Sequence, residues 1–281
     1  MKVIRSIRSM ADFSRNAHIK GKTIGFVPTM GALHEGHLSL IRQARKENDV
    51  VVVSVFVNPV QFGPKEDYKH YPRNLKRDTE LSRKSGADIV FYPDAGDMYF
   101  FNHKTYIEVC GLSGYLCGKF RPGHFKGVAT VVAKLFNIIN PDTSYFGQKD
   151  AQQAIVIKKM VEDLNIPVRI KVMPTVREKD GLAMSSRNKY LDKKERADAA
   201  VLYQALRMAR DLISHGVTDS LSIIRKMRQL ISSKKSARIQ YISIVNPVDL
   251  SGVNTIKERV LIALSVYIGK TRLIDNIVVS P

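Results

Sequence analysis

The chain has 281 residues, 44 % hydrophobic and 25 % charged, which fits a folded soluble protein of two ordinary domains and excludes a disordered tail or a low-complexity polymer. Its 45 basic side chains outnumber 26 acidic ones for a net charge of +19, which raises nucleic acid, an anionic membrane or phosphorylated small molecules as partners. Cys110 and Cys117 are too few for a disulfide framework, the opening MKVIRSIRSMADF has no apolar signal region, and no run approaches the roughly eighteen apolar residues of a spanning helix, so a cytoplasmic protein is expected.

In chain order, residues 23–27 (TIGFV) read as a buried strand that ends in the turn Pro28-Thr29-Met30-Gly31. From Gly36 the spacing of Leu38, Ile41 and Ala44 predicts a helix. Residues 50–57 are apolar on both faces, as a central strand of a parallel sheet requires, and Asn58-Pro59 closes it. A helix is predicted around 74–85, a strand over 88–92, a strongly apolar helix over 127–139 and a strand over 144–146. A helix over 150–164 and a strand over 168–176 follow. This alternation predicts an α/β domain, a doubly wound parallel sheet with ligands at the carboxyl ends of its strands, over residues 1–178.

The pattern changes at Glu178-Lys179-Asp180-Gly181, a polar turn read as a hinge. Beyond it come an amphipathic helix over 193–215, a second over 219–231, and strands over 238–245, 259–268 and 271–279. Residues 179–281 therefore read as a smaller α+β domain.

The sharpest motif is Met30-Gly31-Ala32-Leu33-His34-Glu35-Gly36-His37, where the first predicted strand hands over to a helix. Gly36 lets a ligand approach the backbone, the helix start offers free N–H groups to an anion, and His34 and His37 share one side of the first turn. The same residues fit a capping turn with two solvent histidines, or two zinc ligands, although neither Cys nor a third His lies at metal-like spacing. Met184-Ser185-Ser186-Arg187 offers two hydroxyls and a permanent cation to an oxyanion, or an N-cap followed by a surface Arg. In Gly147-Gln148-Lys149-Asp150, Lys149 suits phosphate, and Asp150 suits ribose hydroxyls or a helix cap. Gln61 and Gln153 are polar orienters or plain surface amides, and Arg121-Pro122-Gly123-His124 is a rigid turn of little meaning alone.

Seven segments in order carry a resemblance: FVPTMGALHEGH (26–37), VSVFVNPVQF (53–62), YPR (71–73), RPGHFKGVATVV (121–132), YFGQKDAQQ (145–153), DGLAMSSRN (180–188) and RLIDN (272–276). Together, and essentially end to end, they resemble the pantothenate synthetase family, the pantoate–β-alanine ligases. The resemblance implies a Rossmann-like fold of the HIGH-motif nucleotidyl-transferase type with a C-terminal lid, and a homodimer through the N-terminal domain. It puts ATP on residues 30–37, on Gly147 to Asp150, on Val176 and on Met184 to Arg187, with His37, His34, Lys149 and Arg187 as the catalytic set. Pantoate falls to Gln61 and Gln153. Phe100-Phe101 departs from the family, where a Pro and small residues are more usual.

The implied reaction starts with attack of the pantoate carboxylate on the α-phosphorus of ATP, releasing pyrophosphate. The amine of β-alanine then attacks the pantoyl-adenylate carbonyl and expels AMP. Such chemistry needs positioning and charge stabilisation rather than an enzyme nucleophile. Mg²⁺ is expected mainly on phosphate oxygens and water, with Asp78 as the one carboxylate candidate. Two other readings stand beside this one: an adenylate-forming or nucleotidyl-transferring enzyme for another substrate, and a basic nucleic-acid-binding module. Against the module, the basic residues are scattered singly and no recognition motif accompanies them.

Overall fold

The computed structural model describes residues 1–64 and 66–281. Six parallel strands form the first sheet: β1 (Lys2–Ile4), β2 (Ile24–Thr29), β3 (Val50–Val55), β4 (Ile89–Phe91), β5 (Thr143–Gly147) and β6 (Arg169–Met173). Their spatial order is β1-β4-β3-β2-β5-β6, so the chain winds outward from β2 in one direction and returns through β5 in the other. Every residue of β3 is buried. Val50 and Val52 face one apolar core with Phe26 and Phe136, while Val51, Val53 and Val55 face another with Leu40, Ile41 and Ala44. The consecutive valines thus serve two layers at once, which only a strand covered on both faces can do.

Those layers are helices α1 (Ile7–Ile19), α2 (Glu35–Glu47), α3 (Leu75–Lys84), α4 (Ala95–Met98), α5 (Leu116–Phe120), α6 (His124–Ile139) and α7 (Ala151–Asp163). Most of α6 is buried, because its Val, Ala, Leu and Phe side chains meet the sheet on one side and α1 and α7 on the other. Gly127 in α6 lies against the 60–61 backbone, where an added Cβ would sit 2.6 Å from the Val60 carbonyl oxygen. That close approach presses Gln61 against the head of α6.

Beyond the first sheet, α8 (Lys193–Ala199), α9 (Val201–Ser214) and α10 (Ser220–Ser232) precede an antiparallel sheet, β7 (Ala237–Val245), β8 (Val260–Ile268) and β9 (Thr271–Val279), in the order β7-β8-β9. One face of this sheet packs on α9 and α10 through Leu206, Ile213, Ile223, Met227, Ile262 and Leu264. Tyr241, Val245, Leu261 and Ala263 on the other face join the core of α6 and α7.

The architecture is the α/β parallel sheet with a small α+β C-terminal unit that the sequence predicts. Several details differ. Residues 2–19, left without elements, form edge strand β1 and helix α1, whose Met10 and Ala17 are buried against α6. β2 runs on through Pro28 to Thr29, beyond its last pairing with β5 at Phe26 and Ser144, so the missing N–H is tolerated on that edge. The single helix expected over 193–215 is interrupted at Ala200, whose dihedrals remain helical, so apolar periodicity runs through the break unseen. Nor does the expected hinge look loose. Arg196 pairs with both Glu178 and Asp180, Asn188 donates to Glu178 at 2.8 Å, and Arg177 forms an antiparallel bridge with Ala183. Gly181 has φ +93° and an added Cβ would meet the Tyr203 ring at 2.1 Å, so its glycine serves a tight turn in contact with α9.

Candidate active site

An open cleft with roughly 210 Å³ of space lies beyond the carboxyl ends of β2 and β5, where the strand order reverses. Ligands of open α/β sheets bind at such a point, because diverging loops leave a crevice there. The segments after β2, β3, β5 and β6 supply its walls, together with the head of α6.

After β2, Gly31 and Ala32 both take left-handed backbone, φ +86° and +52°. Ala32 carries a steric penalty for this of about 1–2 kcal/mol. Buried Asp78 of α3 offsets it by accepting the Ala32 and Leu33 N–H groups, each at 2.9 Å, while Arg77 grips the Leu33 carbonyl at 3.1 Å. The loop so held launches α2 with His34 and His37 on the cleft wall, ring centroids 4.1 Å apart. The His34 N–H donates to Nδ1 of His37 at 3.4 Å, which leaves the His37 proton on Nε2. Burial, with help from the Lys149 charge, pulls the His34 pKa down to about 4; burial, His34 and Lys149 hold His37 well below its ordinary value. Both rings are therefore neutral at pH 7 and act as hydrogen-bonding groups, not cations.

The turn after β3 carries Gln61. Its Oε1 accepts from Asn58 at 3.2 Å, and its Nε2 lies 2.8 Å from the Met30 sulfur. Its backbone carbonyl accepts from Nδ1 of His124 at 2.8 Å, while Arg121 donates to the other His124 nitrogen at 2.8 Å. Burial and the Arg121 cation pull the His124 pKa down to about 4. Arg121 is itself fixed by two 2.6 Å bonds to Glu66, a bidentate pair that leaves the amide–imidazole chain little freedom.

The turn after β5 presents Gly147, Lys149 and Asp150, with Gln153 one helical turn farther into α7. Lys149 lies 3.6 Å from the Asp150 carboxylate, and Asp150 makes no capping bond to α7, so both remain directed at the cleft. Gln152 is used elsewhere, accepting from the Cys117 N–H and donating to Leu112 and Tyr115 carbonyls. After β6, Val176 and Met184 to Arg187 complete the wall. Ser185 caps a short 3-10 turn by accepting the Arg187 N–H at 3.2 Å, and Ser186 lies 3.4 Å from the Tyr71 hydroxyl. Arg187 binds Asp67 through two nitrogens at 2.9 and 3.2 Å.

Neutral donors, the cations Arg121, Lys149 and Arg187, and a strand-to-helix turn around one cleft are an inventory for phosphate chemistry. A family model described as pantoate-beta-alanine ligase matches residues 2–278. The chain is 53 % identical over 279 residues to pantothenate synthetase of Caldicellulosiruptor bescii, covering 99 % of both. The chain belongs to the pantoate–β-alanine ligase family. A solved pantothenate synthetase of Thermus thermophilus superposes on it with TM-score 0.95 at 42 % identity, over all of both chains. The pantoate-beta-alanine ligase of Francisella tularensis, solved with β-γ ATP and β-alanine, gives 0.82 at 40 % identity over 99 % of this chain and 97 % of that one.

In this ligase most of the residues singled out from the sequence face one cleft: Met30, His34, Gly36, His37, Gln61, Gly147, Lys149, Asp150, Gln153, Val176 and Met184 to Arg187. Gly31, Ala32 and Leu33 lie in the buried loop behind it. Glu35 points outward and pairs with Arg42, and the Gln148 side chain turns to Asn276. Asp78 is the correction. Both its oxygens are bound by loop amides and it does not reach the cleft, so it shapes the H-x-G-H loop instead of holding a metal. Among the described residues no group of three or more His, Cys, Asp or Glu is placed to hold a metal ion; a Mg²⁺ carried on phosphate oxygens and water needs no such group. Sequence reading gave no site role to Asn58, Tyr71, Arg121 and His124, all on the cleft wall. Their signal was present only as punctuation: N-P after a strand, Y-P-R in a loop, R-P-G-H before a helix.

Proposed function

We propose that this chain condenses pantoate with β-alanine using ATP, through a pantoyl-adenylate, in the cleft described above. The observation that carries the reading is convergence: the segments after four strands, β2, β3, β5 and β6, bring His34 and His37, Gln61, Lys149 and Gln153, and Arg187 to one crevice. The pantoate carboxylate attacks the α-phosphorus and pyrophosphate leaves; the β-alanine amine then attacks the acyl carbonyl, loses a proton and expels AMP. Lys149 and Arg187 offset phosphate charge, and His37 donates from Nε2 to an oxygen that gains charge in the transition state. Gln61, aligned by Asn58 and the His124–Arg121 pair, orients pantoate with Gln153, since an amide can serve a hydroxyl and a carboxylate without adding charge. Mg²⁺ would arrive on the triphosphate, held by its oxygens and water, and no step here runs through it.

A homodimer through the N-terminal domain is supported by the outward-facing Phe100, Phe101 and Tyr106. A cytoplasmic location is supported by two free thiols, Cys110 and Cys117, and among the described residues no helix is long and apolar enough to cross a membrane. The deciding experiment is exchange of labelled pyrophosphate into ATP without β-alanine. Exchange that requires pantoate is expected; exchange without pantoate, or none with it, refutes the adenylate route.

A further inference from the structure

Resting on the reading of Lys149 as a phosphate-facing cation, we propose that Asn276 of β9 is a positioning residue for adenylation, the clamp through which the C-terminal sheet sets the place of Lys149. Asn276 is only 4 % exposed, and every polar atom of its side chain is used on one target. Nδ2 donates to the carbonyls of Gln148 and Lys149, both at 2.9 Å, and Oδ1 accepts from Nε2 of Gln148 at 3.0 Å. Carbonyls only accept, so this is the one amide orientation that satisfies the set. The turn it grips is the one that aims Lys149 at the cleft, and that turn has no side-chain cap of its own from Asp150.

The neighbouring residue makes the clamp two-sided. Asp275, 2 % exposed, accepts Arg177 through both oxygens at 2.6 and 3.0 Å, and Arg177 in turn holds the Gly181 carbonyl at 3.0 Å and stacks on Tyr203 at 3.9 Å. The Asn276 N–H donates to Asp275 Oδ1 at 2.8 Å, joining the halves. Two consecutive residues of β9 thus hold the Lys149 turn on one side and, through Arg177, the 177–181 turn that leads into the Ser185–Arg187 segment on the other. Removing the amide leaves Lys149 in the sequence but frees the backbone that aims it, which lowers turnover more than nucleotide binding.

The test is pantoate-dependent pyrophosphate release by Asn276→Ala, Lys149→Ala and the double variant, with ATP binding by calorimetry. For Asn276→Ala, kcat is expected to fall at least about tenfold while ATP affinity changes less than about threefold. In the Lys149→Ala background the same change should add almost nothing, since the group it positions is gone. A merely structural role would give losses that multiply, and that result overturns the proposal, as does wild-type kcat in Asn276→Ala. Near-normal activity of Lys149→Ala would remove the site reading and this proposal with it; an inactive Lys149→Ala beside an active Asn276→Ala removes this proposal alone. Should Asn276→Ala fold poorly, the equal-sized Asn276→Asp turns an acceptor toward the two carbonyls: a similar loss of kcat is expected, and unchanged turnover overturns the clamp.

Discussion

His37 is neutral because it is buried, and its tautomer is chosen by the His34 amide that occupies Nδ1. A donor fixed in this way acts on charge that develops during reaction, and its removal costs roughly 3 kcal/mol, or about a hundredfold in rate. His37→Ala should lose about that much pyrophosphate exchange while its melting curve stays near that of the wild type; His37→Gln, which keeps an N–H, should lose less. The buried histidines also tie stability to pH. His34 and His124, with pKa values of about 4, are mostly unprotonated at pH 5, whereas the unfolded chain titrates them near 6.5. Unfolding therefore takes up protons between pH 6.5 and 4, and stability falls as pH drops through that window by roughly 1–3 kcal/mol per histidine. Urea unfolding at pH 7 and pH 4.5 should show the loss, and His124→Gln should reduce it. An equal pH dependence in that variant would deny His124 its share.

At the scale of the element, the H-x-G-H loop is a strained connection kept in shape from outside. Two successive left-handed residues point amides inward, and α3 answers with one buried carboxylate. Asp78→Asn keeps the volume but turns one acceptor into a donor facing an N–H, so about 1–3 kcal/mol of stability should go. Activity should fall as well, because the loop places both histidines. Denaturation and exchange measured together check this, and a destabilised but fully active variant would mean the loop keeps its shape without Asp78.

For the whole molecule, the braced 178–181 turn moves the candidate pivot upstream, to residues 174–176, which lie outside any helix or strand. A reactive acyl-adenylate has to be shielded from water, so we expect the C-terminal unit to close further as a lid when ATP and pantoate are both present, turning about the Asn276 clamp on the 148–149 turn, which stays made. Small-angle scattering should then show a smaller radius of gyration, and Arg187→Ala should slow adenylation more than it weakens ATP binding. Unchanged dimensions, with binding and rate lost equally in Arg187→Ala, would speak against closure.

Local pattern determined much of this protein. Valines 50–53, the apolar run of α6 and the alternation of strands with helices specify a two-faced parallel sheet, because burial on both sides demands apolar residues at every position. The motif segments likewise carried the site: 26–37, 53–62 and 145–153 each run from a strand into the turn that follows it, where backbone direction changes. Other features depended on partners far along the chain. Asp78 reads as a helix-surface carboxylate until α3 is seen against the loop 45 residues earlier, and His124 reads as a turn residue until α6 meets Gln61. Asn276 lies within a recognisable segment, yet its clamp on Gln148 joins residues 128 positions apart. Only the tertiary structure decided these roles, because a hydrogen bond has direction and a specific partner, and neither leaves a period in the sequence.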